Sequence, residues 1–113
     1  MLPKINRLTK DKEFNNVFKR GKSSFDKIIG AKTVENGLKV NRFGVLVSAK
    51  ISKKATERNK VKRQIRDITR EELDKMKIGF DAVIITLPEI KNRTYQEIKF
   101  SLTRHFKKLN LYR

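Results

Sequence analysis

The sequence contains no cysteine, which excludes disulfides, thiolate metal sites and a secreted disulfide scaffold. It also lacks any apolar run long enough to cross a membrane, and no apolar stretch near its start resembles a signal peptide. We therefore expect a cytoplasmic protein that does not cross a membrane. There is no internal repeat, low-complexity tract or linker rich in proline and glycine, so a single domain over residues 1–113 is predicted.

Acidic residues are scarce as well. The chain has 12 Asp and Glu residues against 29 Lys and Arg residues, which gives a formal net charge of +17 at pH 7. Such an excess repels itself in a compact fold, so an anionic partner is expected to offset it. The candidate partners are nucleic acid, an acidic protein and an anionic membrane surface. The membrane surface is disfavoured because a basic helix that binds a membrane needs a bulky apolar face.

Residues that carry hydrolytic chemistry are few and scattered. His105 is the only histidine and lies on or beside the predicted core stripe of the last helix, and no serine shows a partner motif. The acids have no paired spacing that would hold two metal ions, and there is no glycine-rich nucleotide loop. We therefore predict no catalytic residue and no small-molecule substrate, and an autonomous endonuclease is disfavoured.

The most informative segment runs from Ser48 to Arg70 and contains nine of the 29 basic residues. Helical spacing places Val61, Ile65 and Ile68 on one narrow arc, which predicts a side that faces the core. The opposite side is almost entirely cationic, which suits a regularly charged anionic polymer better than a merely solvated helix face. The candidate anion-binding residues are Lys50, Lys53, Lys54, Arg58, Asn59, Lys62, Arg63, Arg66 and Arg70.

Within this segment, Arg58 has two alternative roles. It projects nearer the apolar side than the other cations do, so it either grips phosphate or anchors the loop that precedes the helix. The three lysines of that loop lie close to the helix N-terminus, whose unpaired N–H groups and partial positive charge also favour anions. The alternative for these lysines is an ordinary lysine-rich loop.

Hydrophobic periodicity predicts three helices and about four strands in the order α-β-β-β-α-β-α. Asn36-Gly37 is the clearest turn signal and predicts a hairpin. The strand, helix and strand between residues 42 and 87 have the pattern of a crossover between parallel strands. The predicted elements are a helix over Lys10–Arg20 capped by Thr9, extended chain over Ser24–Val40, a strand over Arg42–Ser48, the basic helix to about Lys77, a buried strand over Asp81–Leu87 and a helix opened by a Thr94–Glu97 capping box.

Two aromatic residues on the first helix have two possible functions. Phe14 and Phe18 share one face with Val17, and a pair of Phe residues on an amphipathic helix is usually part of a core. Alternatively, they line a groove and stack on unpaired bases.

Taken together, these residues resemble the protein subunit of bacterial ribonuclease P. The basic helix of that family carries Arg-Asn, then Lys-Arg, then Arg, and here the signature stands as Arg58-Asn59, Lys62-Arg63 and Arg66. The preceding segment from Lys50 to Ala55 and the opening segment from Arg7 to Gly21 are also similar to the family's. The resemblance covers nearly the whole chain in order and is weaker from Ser24 to Asn41.

The resemblance implies an α+β sandwich, in which a small mixed sheet of about four strands packs against three helices and the crossover is left-handed, against the usual rule. It implies that a separate catalytic RNA uses Mg²⁺ to remove the 5′ leader of precursor tRNA, while the protein binds that RNA through the basic helix and holds the single-stranded leader in a cleft floored by the sheet. Phe14 and Phe18 match the family's cleft aromatics, and Lys32 stands near a cleft-facing position where it would hold a leader phosphate. The main alternative is a structural ribosomal RNA-binding protein of similar size and charge.

Overall fold

One four-stranded mixed sheet organises the structure, a computed structural model that describes residues 2–113. The elements follow one another in the predicted order α-β-β-β-α-β-α. The helices are α1 (Asp11–Arg20), α2 (Ala55–Glu72) and α3 (Tyr95–Lys108). The strands are β1 (Lys22–Phe25), β2 (Ile29–Glu35), β3 (Arg42–Leu46) and β4 (Phe80–Thr86).

The strand order across the sheet is β1-β2-β4-β3, which places β4 in the interior. This strand pairs antiparallel with β2 and parallel with β3, and residues 80–84 are buried on both faces of the sheet. Its continuous apolar run is typical of such a position. The predicted interior strand and the predicted crossover from β3 through α2 to β4 are therefore both confirmed, and the handedness of the crossover stays a prediction.

The predicted hairpin at Asn36-Gly37 is wrong, although the turn itself exists. Gly37 has a φ of +70°, as that turn chemistry requires, but β2 and β3 lie on opposite sides of β4 and do not pair. The hairpin joins β1 to β2 instead, where one Asp26 carboxylate oxygen accepts hydrogen bonds from the N–H groups of Ile28 and Ile29 at 2.8 and 2.9 Å. The hairpin turn is therefore an Asx turn at Asp26 and not the Asn-Gly turn, because the pairing of strands depends on the whole sheet as well as on the local turn sequence.

The two faces of the sheet carry different elements. On one face, α2 and α3 cover alternate strand residues in the main hydrophobic core, which includes Phe43, Ile84 and the fully buried Phe106. On the other face, α1 covers only part of the sheet, and Val17 packs there with Val83 in a smaller cluster. The second face therefore stays partly open to solvent.

Helix boundaries differ from the predicted ones at two ends. Lys10, not Thr9, occupies the N-cap of α1, and the Glu13 carboxylate accepts the Lys10 N–H at 3.2 Å. The basic helix begins at Ala55 and ends at Glu72, five residues before Lys77, because the chain tightens into a 3-10 turn and then buries Met76. The capping box at Thr94 and Glu97 is confirmed by both of its reciprocal hydrogen bonds.

Candidate nucleic-acid interface

Helix α2 presents its cations to solvent as its periodicity predicts. Ile65 and Ile68 are fully buried and Val61 packs against the core, while the opposite side of the helix is exposed or half-buried. The three lysines of the preceding loop are exposed as well. We call this continuous region the basic surface, and its members are Lys50, Lys53, Lys54, Asn59, Lys62, Arg63, Arg66 and Arg70.

Ser52 holds the lysine-rich loop in place. Its hydroxyl donates to the Glu57 carboxylate and accepts the Lys54 N–H at 3.1 Å, and its carbonyl oxygen accepts the Arg58 guanidinium at 2.8 Å. Ile51 is buried in the core beside it. The loop is thus fixed at the N-terminus of α2 with its lysines outward. Of the two roles considered for Arg58, the structure shows the anchoring contact, and this contact uses one of the five guanidinium donors.

Two arginines approach each other at the edge of the basic surface. Burial lowers the pKa of Arg66, and the positive charge of Arg7 lowers it further. Arg7 belongs to the N-terminal segment that bridges β3 at Phe43. Within residues 2–113, Arg66 has no ion-pair partner. The positive charges of Arg7 and Arg66 together raise the positive potential at this edge, which favours the binding of an anion.

The open side of the sheet brings together the three residues that the resemblance assigns to a cleft. The Phe14 ring is half-buried and lies directly on Gly44, where a Cβ atom would come within 2.4 Å of the ring. Phe18 is 38% exposed, and the Lys32 ammonium lies 5.6 Å from the centroid of its ring. Phe14 therefore serves partly as core, whereas Phe18 and Lys32 are accessible to a ligand.

A row of residues beside these three was not predicted. Phe25, Gly30, Ile85 and Leu46 are in register across the four strands and point to the same face as Lys32. Phe25 is 50% and Leu46 39% exposed, because α1 does not reach them. We call these four residues the open row; it spans about 14 Å between its outer strands. The alternation of β3 does point Leu46 away from the core, but nothing in the local sequence aligns it with Phe25.

A partly buried ion-pair network fixes α1 over this face. The Arg42 guanidinium donates two hydrogen bonds of 2.8 Å to Asp81 on β4 and a third to Glu13 on α1. The Asp81 carboxylate also accepts a bond from the Asn36 amide at 2.9 Å. The one sign of this network in the sequence is the position of Asp81 in an apolar strand, because a buried acid requires a partner.

The open row and the basic surface meet at one end of β3. This strand ends at Leu46, and the lysine-rich loop begins at Ser48. One extended anion could therefore lie across the sheet and reach the cations of α2 without leaving the protein surface. The arrangement combines apolar ring faces with positive charge, which is how proteins hold single-stranded nucleic acid.

His105 does have a serine partner, contrary to the prediction from sequence. The Ser24 hydroxyl lies 2.7 Å from Nδ1 of His105, and Oδ2 of Asp26 lies 3.1 Å from Nε2. The imidazole is 1% exposed, and its burial lowers its pKa. A group so enclosed is out of reach of a substrate, and its contacts join the β1–β2 turn to α3.

Among residues 2–113, no three His, Asp or Glu side chains are grouped so that they could hold a metal ion. No helix in the same range is long and apolar enough to span a bilayer.

Comparison with known proteins agrees with this geometry. A family model described as Ribonuclease P matches residues 2–110. The ribonuclease P protein component of Clostridium botulinum is 40% identical over 110 residues, which cover 96% of this chain and 98% of the relative. The structure of the Staphylococcus aureus RNase P protein matches with a TM-score of 0.88 at 27% identity, covering 96% of this chain and 98% of that one.

The RNase P protein from Thermotoga maritima matches with a TM-score of 0.79 at 30% identity, over 87% of this chain and 92% of that one. These matches favour the hypothesis of a ribonuclease P protein over that of a ribosomal protein. The chain belongs to the ribonuclease P protein family, whose members are components of a tRNA-processing ribonuclease.

Proposed function

We propose that the protein binds the RNA subunit of ribonuclease P through the basic surface and holds the single-stranded 5′ leader of precursor tRNA on the open face of the sheet. The observation that carries this proposal is the junction at the end of β3, where the open row passes into the lysine-rich loop. A leader and a catalytic RNA are both polyanions, and bringing them together costs electrostatic repulsion. A chain of net charge +17 between them lowers that repulsion.

In this assignment, each surface has its own ligand chemistry. Arginine forks grip pairs of phosphate oxygens, and Asn59 adds a donor and an acceptor for sugar or base edges. On the open face, the exposed side of the Phe18 ring takes a base and the Lys32 ammonium takes the adjoining phosphate. Phe14 lies on the same face, with its ring packed on Gly44.

Catalysis is assigned to the RNA subunit, which would use Mg²⁺ for phosphodiester hydrolysis. The groupings of His, Asp and Glu within residues 2–113 do not fit a resident metal ion, so we derive no step through an ion bound by this chain. This chain would contribute by binding the RNA subunit, orienting the leader and neutralising phosphate charge. Because the RNA subunit and precursor tRNA are both in the cytoplasm of bacteria, we place the protein there.

The decisive experiment is cleavage of precursor tRNA at low Mg²⁺ by the RNA subunit alone, by the protein alone and by both together. We expect cleavage only when both are present, since the protein replaces part of the charge neutralisation that high Mg²⁺ otherwise provides. Cleavage by the protein alone, with an activity that co-purifies with the protein, would place the active site in the polypeptide and refute the assignment.

A further inference from the structure

Phe25 belongs to two surfaces at once. On the sheet, its ring closes the outer end of the open row, so near Gly30 that a Cβ atom there would come within 2.1 Å of the ring. β1 is an edge strand, and the turn that follows it contacts α3 through the hydrogen bonds that Asp26 accepts from Ser101 and Arg104. The same ring also lines a depression between that turn and α3. A strand of nucleic acid leaving the open row over Phe25 would enter this depression.

An exposed aromatic residue with an arginine on its face lies in this depression. Phe100 is 69% exposed on the outer side of α3, more than any other large hydrophobic residue of the described chain. The Arg104 guanidinium lies 5.8 Å from the centroid of the Phe100 ring and is held there by an ion pair of 2.7 Å to Asp26. The second face of the ring is available, and a guanidinium plane and an aromatic ring are both surfaces on which bases stack.

The charge of the depression also favours a polyanion. Its acids are neutralised within the fold, since Asp26 pairs with Arg104 and Glu97 pairs with Arg93 at 3.1 Å. Lys27 has no ion pair among residues 2–113. Beyond Phe100 the surface continues into a second depression, in which Lys75, Arg104, Lys107 and Arg113 outnumber the one acid, Glu72.

We propose that the depression at Phe25, Phe100 and Arg104 is a distal single-strand site, which receives leader nucleotides upstream of those held on the open row. This inference rests on the proposed function, because it extends the same RNA path around the edge of the sheet. Bases stack on Phe100 and Phe25, and Lys27 and Arg104 contact the phosphates. The occupant is single-stranded RNA, and its contribution depends on leader length.

The test measures the affinity of the reconstituted holoenzyme for precursor tRNAs with leaders of about 4 and about 16 nucleotides, the range that single-strand sites cover. Phe100→Ala is expected to weaken binding of the long leader by about 5-fold or more, the loss of one stacked base, and to leave the short leader unchanged. Phe100→Trp keeps a stacking surface and should retain the affinity. Ile78→Ala is the matched control, since Ile78 is 65% exposed but lies outside the depression.

Phe18→Ala separates the two proposals. If Phe18→Ala weakens both leaders while Phe100→Ala changes neither, the distal site is refuted and the cleft stands. If Phe100→Ala weakens the short leader as much as the long one, the site is not distal and the inference fails. A shift in sedimentation of the free protein with Phe100→Ala, without any dependence on leader length, would show that Phe100 contacts a second protein copy and would also overturn it.

Discussion

The ammonium group of Lys32 lies 5.6 Å from the centroid of the Phe18 ring and donates a hydrogen bond of 3.3 Å to the Phe18 carbonyl oxygen. The two side chains come from different elements, since Phe18 is on α1 and Lys32 is on β2. Their pairing sets a positive charge at the rim of an exposed aromatic face. A nucleotide presents the complementary pair, a flat base and an adjoining phosphate, so this contact is the smallest unit of the proposed leader site.

Phe18→Ala should therefore weaken the binding of precursor tRNA and leave mature tRNA unaffected. Loss of one stacked base is worth about 5- to 100-fold in affinity. The measurement is the dissociation constant of the holoenzyme for each tRNA. Phe14→Ala should act in the same direction, but Phe14 is half-buried on Gly44, so its effect on affinity is mixed with a loss of stability.

Two comparisons control this prediction. Phe18→Tyr keeps the ring and should bind normally, and Lys32→Ala should reduce the salt dependence of precursor binding without abolishing the stacking contribution. An equal loss of affinity for precursor and mature tRNA in Phe18→Ala would contradict the assignment of the leader to this face.

The basic surface predicts a steep salt dependence for assembly with the RNA subunit. If about six phosphates are neutralised at about −0.7 per phosphate, log affinity should fall with log salt at a slope near −4. Arg63→Ala and Arg66→Ala should each weaken assembly and make that slope shallower by about 0.7, the contribution of one phosphate. Filter binding or fluorescence titration between low and moderate salt gives the slope directly.

Lys39→Ala provides the matched control for those variants. Lys39 is exposed in the loop between β2 and β3, outside α2 and the lysine-rich loop, and its substitution also removes one positive charge. It should change affinity little. If Lys39→Ala and Arg63→Ala alter the slope equally, binding follows net charge alone and α2 has no special role.

The ion-pair network under α1 predicts a stability defect. Arg42→Ala leaves the Asp81 carboxylate, whose side chain is 3% exposed, without its main partner. Removing one member of a buried pair costs about 3–5 kcal/mol. Urea denaturation should show this loss, and the double variant Arg42→Ala with Asp81→Ala should recover part of it because no buried charge then stays unpaired. Double-variant stability at or below that of Arg42→Ala would argue against this account.

Sequence periodicity predicts the elements of this fold better than their pairing. The arc of Val61, Ile65 and Ile68 identifies the buried side of α2, and the apolar run from Asp81 identifies the interior strand, because both patterns are local. The open row is not local, since Phe25 and Leu46 share a face only through the register of two intervening strands. The hairpin at Asn36-Gly37 was wrong for the same reason.

In the candidate site, too, residues that are close in the sequence could be predicted and residues that only the fold brings together could not. The members of the basic surface lie on one helix and one adjoining loop, so their spacing alone brings them together. By contrast, Ser24 and His105 are 81 residues apart, and no sequence spacing could reveal their contact. The resemblance supplied Phe14, Phe18 and Lys32 as cleft residues, and only the structure distinguishes the half-buried Phe14 from the accessible pair.

The cluster around His105 predicts how stability depends on pH. Burial lowers the pKa of His105 from its ordinary value of 6.5, although the facing Asp26 carboxylate opposes this and Arg104 reinforces it. The unfolded chain therefore binds a proton near pH 6.5 that the folded chain binds only at lower pH. Stability contributed by the neutral imidazole is complete above about pH 6.5 and falls as the solution is acidified.

Asp26 adds a second loss at lower pH. Burial alone would raise the pKa of Asp26, but hydrogen bonds from Ser101, from the N–H groups of Ile29 and Ile28 and from Arg104 lower it well below its ordinary value of 3.8. Its contribution to stability is therefore present above about pH 3.8 and is lost as pH falls below that value.

The two groups can be separated by experiment, because His105 is the only histidine and gives a single imidazole Hε1 resonance in a proton NMR titration. Its midpoint should lie below 6.5 in the folded protein. In urea denaturation, His105→Gln should flatten the fall in unfolding free energy that begins at about pH 6.5 and leave the later fall below about pH 3.8 in place. A midpoint above 6.5, or an unchanged pH profile in His105→Gln, would mean that the Asp26 carboxylate outweighs burial and that the cluster is stabilised as an ion pair.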